Sequence, residues 1–126
     1  NIIGRINTAI HSGGETVFPE QLEVQLVEAA AKAEVPVKAL LFVPIQDAEW
    51  GQRLIALVRL KSDQTPEKTS KELLNLKELV NNWLPAQKPI AWYTCPNLKQ
   101  NPAGKWERSY WANWAKSLLM ENHTHY

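Results

Sequence analysis

Ala39 to Val43 reads ALLFV, and Leu54 to Leu60 reads LIALVRL. Each run has strand length and almost no polar interruption. A strand that buries one face alternates apolar and polar residues. A run without alternation predicts a strand covered on both faces. One sheet with helices packed on it is therefore expected. The segment between the runs, PIQDAEWGQR, reads as a polar connection that holds Trp50 and Gly51.

Working outward, the pattern supplies those helices. Pro19 stands where a helix begins, at a position whose missing N–H costs nothing. Glu20 and Glu23 follow in what reads as the first turn, favourable for the helix dipole. Leu22, Leu26, Ala29, Ala30 and Ala33 recur at helical spacing, and Pro36 ends the element. Thr65 and Pro66 read as the N-cap and first residue of a second helix. Its stripe is Leu73, Leu76, Val80 and Trp83, and Pro85 stops it. Ile90 to Cys95, IAWYTC, reads as another strand. A last helix from about Trp106 carries Tyr110, Trp111, Trp114 and Leu118, and ENHTHY reads as a frayed tail. At the other end, Ile2 to Ile10 reads as a short β-rich segment with turn points at Gly4 and Asn7. The HSGGET stretch after it reads as a loop. The order β-β-α-β-β-α-β-α predicts an α+β domain. It has about three strands in a small sheet, a short N-terminal β-ribbon and about three flanking helices.

The composition agrees with one such domain. The 126 residues are 44% apolar and 21% charged. Fourteen basic residues balance thirteen acidic ones, which leaves no electrostatic footprint for nucleic acid or an anionic membrane. No apolar run reaches the length of a membrane span. One Cys and three His offer no metal-ligand spacing, so no metal site is expected. A lone Cys95 without a visible leader makes a reducing, cytoplasmic setting the default. The chain opens without Met and reads as if it enters in mid-structure. A fragment of a longer protein is expected.

Three stretches carry more specific information: GRIN followed by SGGETVFPEQLE, then DAEWGQR, then NPAGKWER. Any one of them is a weak signal. In this order and at this spacing they resemble the C-terminal domain of the adenylate-forming superfamily, which includes the acyl-CoA synthetases. The resemblance covers essentially the whole chain. The tail, QKPIAWYTCPNLKQNPAGKWERSYWANW, is further similar to the o-succinylbenzoate–CoA ligase group of menaquinone and phylloquinone biosynthesis.

That resemblance implies a single C-terminal lid domain over residues 1–126, partnered by an N-terminal domain that binds ATP and the acid. It implies an AMP-forming acid–thiol ligase with ATP, CoA and a small-molecule acid as substrates. Mg2+ is expected in the N-terminal domain, and the isolated chain is expected to be inactive. Lys105 matches the catalytic Lys that neutralises charge during acyl-adenylate formation. A solvated surface Lys is the reading its local sequence alone would favour. Arg5 matches an Arg that contacts the nucleotide ribose. Asn7 matches the hinge, where Asp is the usual residue. Gly13 and Gly14 match a loop that lines the pantetheine tunnel of CoA, and they equally suit a tight turn. Trp50 and Lys88 match positions that can meet CoA. The alternatives there are a half-buried Trp closing the surface and a solvated Lys. Ala86 and Ile90 depart from the family pattern beside Lys88.

Two other functions stand as alternatives. A non-catalytic docking module with this fold has no reason to keep Arg5, the Gly pair and Lys105 together. A ligase for another acid, fatty or aromatic, keeps every motif and changes only the substrate.

Overall fold

The computed structural model of the chain describes residues 9–61 and 65–124. Arg5 and Asn7, with most of the expected N-terminal ribbon, lie outside the described residues. Among the described residues, five strands form one mixed sheet, with three helices packed on it. The strands are β1 (Ile10–Ser12), β2 (Glu15–Val17), β3 (Val37–Asp47), β4 (Gly51–Leu60) and β5 (Ala91–Thr94). The helices are α1 (Pro19–Lys32), α2 (Pro66–Leu79) and α3 (Arg108–Thr124).

β3 and β4 pair antiparallel along their whole length, from Val37↔Leu60 to Asp47↔Gly51. β5 runs parallel to β4, from Ile55↔Ala91 to Val58↔Thr94. A parallel neighbour requires a crossover, and α2 supplies it. β1 meets the start of β4 at Ser12↔Gly51, and β2 continues the sheet from β1.

The two apolar runs are buried on both faces, as their lack of alternation requires. Leu40, Phe42, Leu54, Ala56 and Val58 face one core, with Leu22, Leu26 and Ala30 of α1 and Leu76 of α2. Leu41, Val43, Ile45, Ile55 and Leu57 face the other, with Leu98 and with Trp111 and Ala115 of α3. Every side chain of the run Leu54–Val58 is fully buried. This is the central strand, and its residues contribute about 1.5–3 kcal/mol each by leaving water.

Several expectations need correction. The polar connection after ALLFV is mostly strand, because β3 continues to Asp47 and β4 starts at Gly51. Pro44 lies within β3. β3 is an edge strand, and Phe42 turns its N–H and C=O to the open edge. Pro44, two residues on, faces the same edge, where a missing N–H costs the ladder nothing. HSGGET is a hairpin, with only Gly13 and Gly14 in the turn. The last helix starts at Arg108, not Trp106, and its Tyr110 is exposed because Trp111 and Ala115 take the inward stripe. Ala33 is exposed at the end of α1, and Glu23 is buried where a solvated dipole partner was expected.

Candidate functional site

The sequence motifs collect at two places. The first is the turn end of the sheet. Gly13 and Gly14 both take positive φ, +56° and +86°, as a two-residue hairpin turn of this kind demands. The Gly13 N–H donates to the Trp50 carbonyl at 2.8 Å. A Cβ on Gly13 would lie 2.5 Å from Cε3 of the Trp50 ring, whereas one on Gly14 would meet nothing within 4 Å. Gly13 is thus needed for a close approach as well as a turn, while Gly14 is needed for the turn.

Trp50 is fixed from its own loop. Asp47 Oδ1 accepts the N–H groups of Glu49 and Trp50, each at 2.9 Å. The Arg53 guanidinium lies 4.3 Å from the centre of the Trp50 ring and donates to the Pro85 carbonyl at 3.2 Å. Its Nε is buried with no partner among the described residues, as is Ser12 Oγ nearby in sequence to the turn. Three residues past Pro85 stands Lys88, half-buried, its N–H bonded to the Leu84 carbonyl. Lys88 lines a groove of about 230 Å³ with Lys77, Asn81, Ile90 and Trp92, and no carboxylate lines it. The Gly pair, Trp50 and Lys88 are therefore linked through Arg53 and the 84–88 turn. Reading the sequence missed Arg53 and Lys77. The signal for Arg53 was a cation three residues after a loop Trp.

The second place is the Lys105 loop. Lys105 is exposed, and no hydrogen bond or ion pair holds its side chain among the described residues. Its backbone, in contrast, is tightly held. The Asn101 side chain accepts the N–H groups of Ala103 and Lys105, each at 3.0 Å. The Asn101 N–H donates to the Lys105 carbonyl at 2.8 Å, and the Gly104 N–H donates to the Asn101 carbonyl at 2.8 Å. Gly104 has φ +78° with open space around it, so Gly serves the backbone there.

Three residues on, the loop is bolted to the core. Arg108 Nη1 and Nη2 donate to Glu23 Oε2 and Oε1 at 3.0 and 3.1 Å. Arg108 Nη1 also reaches the Phe42 carbonyl at 3.1 Å, and the Phe42 N–H donates to Glu23 Oε2 at 2.7 Å. Arg108 and Glu23 together finish the open edge of β3 and satisfy both polar groups of Phe42. Burial pushes the Glu23 carboxyl above its ordinary 4.5, against the pull of Arg108 and of the Phe42 N–H. A groove of about 530 Å³ runs beside this clamp, between the start of α1 and the 100–108 segment, with Phe18, Val24 and Trp106 as its apolar walls. Among the described residues no three His, Cys, Asp or Glu side chains gather as a metal site. None of the described helices is long and apolar enough to cross a membrane.

Known proteins resemble the chain in sequence and in fold. No family model matches it. It is 32% identical over 114 residues to the 2-succinylbenzoate–CoA ligase of Salmonella typhimurium, covering 90% of this chain and 22% of that protein. It is 33% identical over 111 residues to the 3-oxocholest-4-en-26-oate–CoA ligase of Rhodococcus rhodochrous, covering 82% and 17%. Among solved structures it superposes on wild-type E. coli MenE bound to an analogue of OSB-AMS. The TM-score there is 0.61 with 26% identity over 89% of this chain and 21% of that one. The Brucella canis acyl-CoA synthetase shares the fold, with TM-score 0.67 and 22% identity over 92% and 20%. The chain spans about a fifth of the length of the curated relatives it matches.

Proposed function

We propose, on the premise that this chain is a homologue of the adenylate-forming acyl-CoA ligases, that it is the C-terminal domain of such an enzyme. An N-terminal domain would bind ATP, its metal ion and the acid. The acid carboxylate attacks the α-phosphorus of ATP, and the bond to pyrophosphate breaks. The CoA sulfur then attacks the acyl carbon, gives up its proton, and AMP leaves.

Lys105 serves the first step. A carboxylate and a triphosphate bring like charges together, and an ammonium placed between them offsets the repulsion. At ~4 Å and an effective dielectric of ~20 one such contact contributes about 4 kcal/mol. If about 3 kcal/mol appears only in the transition state, the gain is roughly 10²-fold. The observation that carries this reading is the contrast at Lys105: a free side chain on a loop closed by four hydrogen bonds, two of them to the Lys105 backbone itself. A merely solvated Lys needs no such holding.

The turn end serves the second step. Gly13, Gly14 and Trp50 would line the thiol arm of CoA, with Lys88 facing its phosphates. Arg5 and Asn7 would supply the nucleotide contact and the hinge. For the acid, the tail motif and the Salmonella relative favour o-succinylbenzoate. A steroid or fatty acid is the second reading, because the Rhodococcus relative is equally similar. The enzyme would work in the cytoplasm.

The test uses the protein that carries this domain, with Lys105 intact and as Lys105→Ala. Pyrophosphate release is followed with ATP and o-succinylbenzoate, and with a long-chain or steroid acid in parallel. Thioester formation is followed from supplied acyl-adenylate and CoA. Lys105→Ala is expected to slow pyrophosphate release by ~10² and spare thioester formation. Equal rates for both half-reactions would remove the adenylation role.

A further inference from the structure

We infer that Asn101 is the positioning residue that aims Lys105, an inference that rests on the adenylation role proposed for that Lys. Lys105 is held at both of its backbone polar groups by this one residue. Its N–H donates to the Asn101 side-chain oxygen at 3.0 Å, and its carbonyl accepts the Asn101 N–H at 2.8 Å. The same side-chain oxygen takes the Ala103 N–H at 3.0 Å, and the Asn101 carbonyl takes the Gly104 N–H at 2.8 Å. The three-residue loop between them is thereby closed on itself.

Nothing in the packing of the domain demands this. Pro102, Ala103, Gly104 and Lys105 are all exposed, and a Cβ at Gly104 would meet no atom within 4 Å. In water each such hydrogen bond gains only about 1 kcal/mol. Ordering each loop residue costs about 1–2 kcal/mol of backbone entropy. A loop that merely joined β5 to α3 has no need of the closure. A loop that must present an ammonium to a reacting centre does, because a displacement of about 1 Å at a charge-stabilising group costs ~10²-fold in rate. Asn suits the task chemically. Its oxygen accepts two N–H groups as a carboxylate would, without a negative charge that would pair with the Lys105 ammonium and hold it back. Asn101 itself is half-buried, and its side-chain oxygen is turned to the backbone of its own loop, so it acts through Lys105.

The experiment compares Asn101→Ala, Asn101→Asp and Lys105→Ala in the protein that carries this domain. Three readouts are taken: pyrophosphate release, thioester formation from supplied acyl-adenylate, and backbone amide exchange at Gly104 and Lys105. Asn101→Ala is expected to lower kcat for pyrophosphate release 10- to 10²-fold at nearly unchanged KM for ATP, to leave thioester formation within twofold, and to lose amide protection at both residues. Asn101→Asp keeps the acceptor but adds a charge that pairs with the Lys105 ammonium, so it is expected to retain amide protection while pyrophosphate release stays slower than wild type. The inference is overturned if Asn101→Ala releases pyrophosphate at the wild-type rate while Lys105→Ala does not. It is equally overturned if Asn101→Ala slows both half-reactions alike, since that marks a general structural role. An active Lys105→Ala variant removes the role of Lys105 itself, and the positioning role with it.

Discussion

Arg108→Ala tests the clamp that joins the Lys105 loop to the core. The substitution removes three hydrogen bonds, two to Glu23 and one to the Phe42 carbonyl. It leaves the Glu23 carboxylate buried with one donor, the Phe42 N–H. Breaking a buried ion pair from one side costs about 3–5 kcal/mol. The side chains keep 21% and 10% of their exposure, so some water can reach them and the lower end applies, about 3 kcal/mol. For a domain of this size that is roughly 10 °C in Tm. The pH dependence identifies the cause. Burial already holds the Glu23 carboxyl above its ordinary 4.5, and losing Arg108 raises it further. A carboxyl whose folded value is raised stabilises the fold only while protonated. Its contribution is fully present below the unfolded value and is lost as pH rises through the folded one. The destabilisation by Arg108→Ala is therefore expected to be largest at pH 7–8 and to shrink toward pH 5. Adding Glu23→Gln to Arg108→Ala should recover about half of it at pH 7.5 and abolish the pH trend. Urea unfolding at several pH values, followed by Trp fluorescence, measures both. A penalty that is the same from pH 5 to pH 8 would refute the claim that an uncompensated Glu23 charge causes it.

The hairpin and the lone thiol give two further expectations. Gly13→Ala should cost about 3 kcal/mol, since the new Cβ collides with the Trp50 ring and φ is +56°. Gly14→Ala meets open space and should cost only the backbone strain, about 1 kcal/mol, so urea midpoints for the two variants should differ clearly. Cys95 is buried, and burial pushes its thiol above the ordinary 9.0. It should react with a thiol reagent only as fast as the fold opens, and stability should begin to fall as pH rises above 9.0. Reaction at the rate of a free thiol at pH 8 would contradict this placement.

The layers of the fold were legible because they follow from patterns local to each run. ALLFV and LIALVRL lack alternation, and both proved covered on two faces. Pro19 and Pro66 mark the first residues of α1 and α2, and Thr65 caps the second by accepting the Lys68 N–H. What stayed hidden depends on contacts across long stretches of sequence. Glu23 and Arg108 are 85 residues apart, and neither signals the other. One clue was present: Glu23 sits on the apolar stripe of α1 between Leu22 and Leu26, where a carboxylate has to find a partner. The strand character of Ile45 to Asp47 was hidden for a related reason, since Pro44 is acceptable only on an edge that the sequence does not declare. Asn101 reads as an ordinary loop residue until its oxygen is seen to take two N–H groups.

The two places that carry the motifs are attached to the same strand. Arg108 anchors the Lys105 loop at Phe42, and the hairpin turn meets the loop that follows Asp47. Five residues of strand separate Phe42 from Asp47, about 17 Å. β3 pairs with β4 throughout that length, so the spacing between the two anchors is as stiff as the sheet. Neither anchor can approach the other without breaking that ladder. If the same reacting centre is served by Lys105 in one step and by the Gly pair and Trp50 in the next, the chain cannot do it by rearranging its loops. The whole domain has to turn as one body. On the proposed reading, the change between the two steps is then a motion of the domain as a whole, and loops as well held as these are compatible with it.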